Sequence, residues 1–120
     1  MAAIEFNETQ KAAIVSLLIE MINADGNVDP KECDVFNTIC VEQSIGEDAY
    51  SIGRNLDSVV AIDIMKRMSD YQKIATAQLL IRAIDADAVD DDNEIKLFNL
   101  ICHATGVDIL INAKDVDNQA

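Results

Sequence analysis

Apolar residues fall at helical spacing through most of the chain, and capping residues mark where each run begins. Asn7 with Gln10 makes a capping-box pattern, after which Ile14, Leu17, Leu18, Met21 and Ile22 share one helical face. That run should end near Asn23–Ala24, where Gly26 suits a left-handed turn. Asp29, Pro30 and Glu32 then restart the chain as N-cap, first residue and third residue, with Glu32 placed to reach back to the cap. Cys33, Phe36, Ile39 and Cys40 give this second helix its apolar stripe. A third helix is expected over 47–56, opened by Gly46-Glu47-Asp48. A fourth, capped by Asp57-Ser58, should run to about Met68 with Val59, Ile62 and Met65 on one face. Ser69 with Gln72 forms another capping box and opens a long helix to about Asp85, with Ile74, Ala77, Leu80, Ile81 and Ile84 inward. Asp91 and Glu94 repeat the cap-and-third-residue pattern, Ile95, Phe98, Ile101 and Cys102 repeat the stripe, and Thr105-Gly106 stops it. Residues 107–112 predict a short closing helix. No run alternates with period two for long, so no sheet is expected.

The pattern occurs twice. Residues 17–40 align without a gap on residues 79–102 at an offset of 62, and 12 of the 24 positions are identical. The pairs include Leu17/Leu79, Ile22/Ile84, Asp25/Asp87, Asp29/Asp91, Glu32/Glu94 and Cys40/Cys102. The expected fold class is therefore all-α: a compact bundle of six to seven helices in two halves related by a pseudo-two-fold axis. Residues 1–113 form its single domain, and 114–120 read as a frayed tail.

Composition narrows the partners. With 50% hydrophobic but only 4% aromatic residues, the core must be aliphatic. A net charge of −13 leaves no basic face for phosphate, which argues against nucleic acid and anionic lipid. Cations and basic protein patches suit such a field. No apolar run approaches 18 residues, and the first residues lack a basic leader pattern, so no membrane insertion and a cytoplasmic location are expected. The three cysteines fall in apolar helical patterns and read as small core residues.

Acidic residues crowd into two short windows at the repeat turns. Asp25, Asp29, Glu32 and Asp34 lie in one; Asp85, Asp87, Asp90, Asp91, Asp92 and Glu94 lie in the other. Clustered carboxylates repel, and a hard divalent cation (calcium, magnesium or manganese) relieves that repulsion through oxygen ligands. The candidate ligands are Asp25, Asp29, Glu32, Asp87, Asp91 and Glu94. EF-hand spacing is not met. Counting from Asn23, glycine comes at position four rather than six and glutamate at ten, while the second copy carries Ala88 and Lys96 at positions four and twelve. Capping accounts for Asp29, Glu32, Asp91 and Glu94 at roughly 1 kcal/mol per cap. It does not account for Asp87, Asp90 and Asp92, and that excess points to a cation or a basic partner.

No catalytic constellation stands out. His103 directly follows Cys102, so on a helix their side chains diverge by about 100°. Cys33 and Cys40 lie seven apart, too far for zinc spacing. Arg54, Lys66, Arg67, Lys73 and Arg82 gather in the middle of the chain and read as solvated surface.

The turn motifs INADGNVDPKE and IDADAVDDDNE, each between two apolar helices, resemble the TerB-like family of tellurite-resistance clusters. The resemblance covers roughly residues 8–105, and the second copy departs from it at Asp87-Ala88. It implies an all-helical fold with two similar halves, no established catalytic activity, and an association with stress-response and metal-related systems. It also implies metal binding through the acidic positions, matched here by Asp25, Glu32, Asp87 and Glu94, or a role as an interaction module. Two functions follow as expectations. One is a non-enzymatic acidic module that binds a divalent cation or a basic partner. The other is a structural adaptor, for a protein partner or as a homodimer, in which the acidic turns only cap helices.

Overall fold

A computed structural model describes residues 4–24, 26, 29–86 and 92–111, and among these every regular element is helical. In chain order the elements are α1 (Glu8–Ile22), α2 (Pro30–Glu42), α3 (Glu47–Arg54), α4 (Ser58–Lys66), α5 (Asp70–Asp85) and α6 (Asp92–Thr105). A short helical segment follows over 107–111. The expected tail lies outside the described residues.

Local chemistry sets the boundaries. Asn7 and Gln10 close a reciprocal capping box on α1, and Ser69 and Gln72 close one on α5. Asp57 caps α4 by accepting from Val59 N at 2.8 Å. Pro30 takes the first turn of α2, where its missing N–H costs nothing. Gly26 (φ +80°) and Gly106 (φ +86°) supply the left-handed residues that end helical runs.

The repeat extends beyond its identical core. At the same offset of 62, the two third-position glutamines clasp each other: Gln10 Nε2 donates to Gln72 Oε1 at 3.3 Å, and Gln72 Nε2 donates to Gln10 Oε1 at 3.1 Å. Each also accepts from its own N-cap backbone, Asn7 N at 2.9 Å and Ser69 N at 3.0 Å. The pseudo-two-fold axis therefore passes between two interlocked capping boxes, where the N-termini of α1 and α5 meet. Ser44 (φ 54°) and Gly106 are likewise repeat mates, both left-handed. Beside them stand the mates Lys11 and Lys73: Lys11 Nζ donates to Ser44 O at 3.1 Å, and Lys73 Nζ lies next to Gly106.

α1 is the axis of the core. Every residue from Ala12 to Leu18 is buried, together with Met21 and Ile22, so its burial is far wider than the single stripe the spacing suggested. The polar member of that run, Ser16, donates its hydroxyl to Leu56 O at 3.1 Å. α3 lies hard against α1 through Ala49 and Gly53; a Cβ at Gly53 would fall 2.5 Å from Ala12 O and 2.5 Å from Val15 Cβ.

Three inward assignments are corrected. Val59 is 72% exposed, because α4 turns Ala61 and Met65 to the core, a stripe on the opposite side from Val59. Ile81 and Ile95 are 40% and 38% exposed. Their repeat mates Ile19 and Cys33 are half-buried and share a cavity lining with Tyr50 and Arg54 of α3.

Gly53→Ala tests the α1–α3 contact. Helix propensity alone would favour alanine by about 1 kcal/mol. Overpacking against a backbone oxygen costs about 1–3 kcal/mol, so thermal unfolding should show a net destabilisation of up to about 2 kcal/mol.

Candidate functional site

The first acidic turn follows the C-terminus of α1. Asp29 caps α2 by accepting from Lys31 N at 2.7 Å. Glu32, in the first turn of α2, is 1% exposed. Its mate Glu94, in the first turn of α6, is also 1% exposed. Two carboxylates at equivalent positions are thus held out of water, a placement whose desolvation cost has to be offset by partners. Spacing read both as caps; burial is what it did not reveal.

Asp25, Asp87 and Asp91 lie outside the described residues, as does Asp90. Of the six candidate ligands the structure places Asp29, Glu32 and Glu94. Among the described residues no group of three or more His, Cys, Asp or Glu side chains could hold a metal ion.

His103 projects to solvent, away from a dyad with Cys102, and its Nδ1 lies 3.0 Å from Asp108 Oδ2. That contact holds the Asp108 carboxyl below its usual range. Burial pushes the Cys102 thiol up to about 11, and the charge of Asp108 adds to the effect; burial also raises Cys40. Cys102 lies in the core and Cys40 packs half-buried against it, and burial disfavours the thiolate at both. The mid-chain cations do not form one basic face. Arg67 pairs with Asp63 at 3.2 Å, and Arg82 forks onto Glu42 at 2.6 and 3.2 Å. The Arg82 guanidinium holds the Glu42 carboxyl below its usual range.

Among the described residues, two cavities stand out on the surface. One, of about 610 Å³, lies between the start of α1, the end of α2 and α5. Its cations Lys11 and Arg82 are engaged by Glu8, the Ser44 carbonyl and Glu42. The other, of about 410 Å³, lies between the end of α1, α2 and α3. Phe36 and Tyr50 meet there edge-to-face with centroids 6.0 Å apart, and Arg54 lies 5.8 Å over the Tyr50 ring.

The fold has a solved counterpart. The chain resembles the crystal structure of PG1108, a protein of unknown function from Porphyromonas gingivalis W83, with a TM-score of 0.73 and 25% sequence identity over 87% of each chain. No family model and no curated protein matches the sequence. No helix among the described residues is long and apolar enough to cross a membrane.

Two outcomes follow. In native protein Cys102 should react with iodoacetamide at least about tenfold more slowly than in denaturant, read by peptide mass spectrometry, because the folded thiol ionises so much later. Glu42→Gln should lower the melting temperature at neutral pH. Since the folded carboxyl titrates below the unfolded value of about 4.3, its stabilisation is present above that value and fades as pH falls through the folded one. The difference from the parent protein should accordingly shrink at about pH 3.

Proposed function

We propose that this chain is a non-enzymatic acidic helical module of TerB-like type that takes up a divalent cation at its two repeat-related turns. The observation that carries the reading is the burial of Glu32 and Glu94, each 1% exposed at matching positions. Capping a helix does not require a carboxylate to leave water. A carboxylate in a low-dielectric setting is also a stronger ligand for a hard cation than a solvated one. In the sequence each of these glutamates lies in an acidic window, with Asp25 and Asp29 in one copy and with Asp87 and Asp91 in the other.

The adaptor remains the second reading, supported by exposed apolar side chains: Val41 at 81%, Val59 at 72%, Ile109 at 69% and Leu100 at 60%. It calls for a protein partner or a homodimer and no metal.

Thermal unfolding of metal-stripped protein with calcium, magnesium or manganese, at matched ionic strength, separates the two. A ligand at a hundred times its Kd stabilises by about 2.7 kcal/mol, a shift of several degrees. One ion should give that shift, and the Asp87→Asn, Asp91→Asn and Glu32→Gln, Glu94→Gln double variants should abolish it. Equal shifts with all three ions would reflect screening of the −13 charge and leave the adaptor.

A further inference from the structure

The cavity of about 410 Å³ is chemically unlike the rest of the surface. The chain carries 22 acidic residues, yet among the described residues no acidic side chain lines this cavity. Its floor is apolar, from Ile19 and Ile22 of α1 and Phe36 of α2, and Tyr50 forms an aromatic wall. The polar groups at its edge are the amides of Asn23 and Asn37, the Cys33 thiol and the Arg54 guanidinium. The size, the apolar lining and the few convergent polar groups are those of a small-molecule site.

Arg54 decides the charge of the occupant. Arg67, Arg82 and Lys11 each have a carboxylate within ion-pair distance. Among the described residues Arg54 has none, and its guanidinium lies over the Tyr50 ring. The backbone enforces this placement. Ala49 and Gly53 press α3 onto α1, which sets the adjoining pair Tyr50 and Arg54, four residues apart, along the cavity. A guanidinium braced on an aromatic face still presents its in-plane N–H groups to a planar anion.

The internal repeat supplies a comparison within one chain. At the offset of 62, Asn23 and Cys33 become Asp85 and Ile95, while Tyr50 and Arg54 become Asn112 and Val116. The second copy replaces the neutral amide with a carboxylate, the small thiol with a bulky side chain, and the arginine with an apolar residue. The second copy does not repeat this combination of residues, and the features that differ are those an apolar anion would need.

We infer that this cavity binds a small amphipathic carboxylate, its hydrocarbon body on Ile19, Ile22 and Phe36 and its carboxylate on Arg54 with the Asn23 and Asn37 amides alongside. This assignment is independent of the ion-binding proposal, since it uses none of the six candidate ligands.

The test is an amide-shift titration of the isotope-labelled full chain with hexanoate, hexan-1-ol and hexylammonium. Hexanoate should shift Asn23, Asn37, Tyr50 and Arg54, and should bind about tenfold tighter than the alcohol, as a charge-assisted hydrogen bond implies. Arg54→Gln should erase the preference of acid over alcohol. Cys33→Ile, which installs the second copy's residue, should weaken both ligands alike, and the spectra report directly whether each variant is folded. Equal affinities for acid and alcohol, an unchanged preference in Arg54→Gln, shifts mapping elsewhere, or no binding by hexanoate would each overturn the assignment. Binding of a leucine-terminated tetrapeptide without binding of hexanoate would overturn it in favour of a peptide site.

Discussion

The burial of α1 on all sides governs this structure. A helix with no solvent face from Ala12 to Leu18 must be enclosed by neighbours, and each remaining element is placed by the side of α1 it covers. α3 reaches it through the small residues Ala49 and Gly53, and α4 faces it with Ala61 and Met65. α5 meets it at the pseudo-two-fold axis, where two glutamines satisfy each other while also closing their own caps. Aliphatic packing of this kind suits a chain with few aromatics, because small and branched side chains allow helices to approach closely.

That enclosure also explains how a chain of net charge −13 stays compact. Its carboxylates lie mostly on exposed helix faces and in turns, and several are tied to specific donors: Asp29 and Asp57 to backbone amides, Glu42 to Arg82. Glu32 and Glu94 differ in being taken inside, at matching positions. A repeated buried carboxylate cannot be attributed to general solubility, which is why it weighs more than the number of acidic residues around it.

The two halves share a plan but not a surface. In the first, α3 stands beside the exposed edge of α1 and α2 and makes an apolar cavity with an arginine at its rim. In the second, Ile81 and Ile95 occupy the corresponding edge and are partly exposed. The repeat gives both halves a common scaffold, and a handful of differing positions gives each a different surface.

Much of the fold was legible in the residues. Capping boxes at Asn7/Gln10 and Ser69/Gln72, the Asp57 cap, Pro30 and the two left-handed glycines are local devices, and each set a helix boundary where the spacing implied. The all-helical class and the two related halves followed from periodicity and from the gapless repeat, for the same reason: both are read from neighbouring residues. Depth is not local. Val59, Ile81 and Ile95 satisfy helical spacing yet face outward, because only the positions of other helices decide which side of a helix is covered. Glu32 and Glu94 satisfy the rule for a capping residue yet lie buried, for the same reason. The cavity beneath Arg54 had a faint signal in Ala49 and Gly53, two small residues four apart. Their meaning emerged only once α1 was seen to fill the space that a side chain at Gly53 would need.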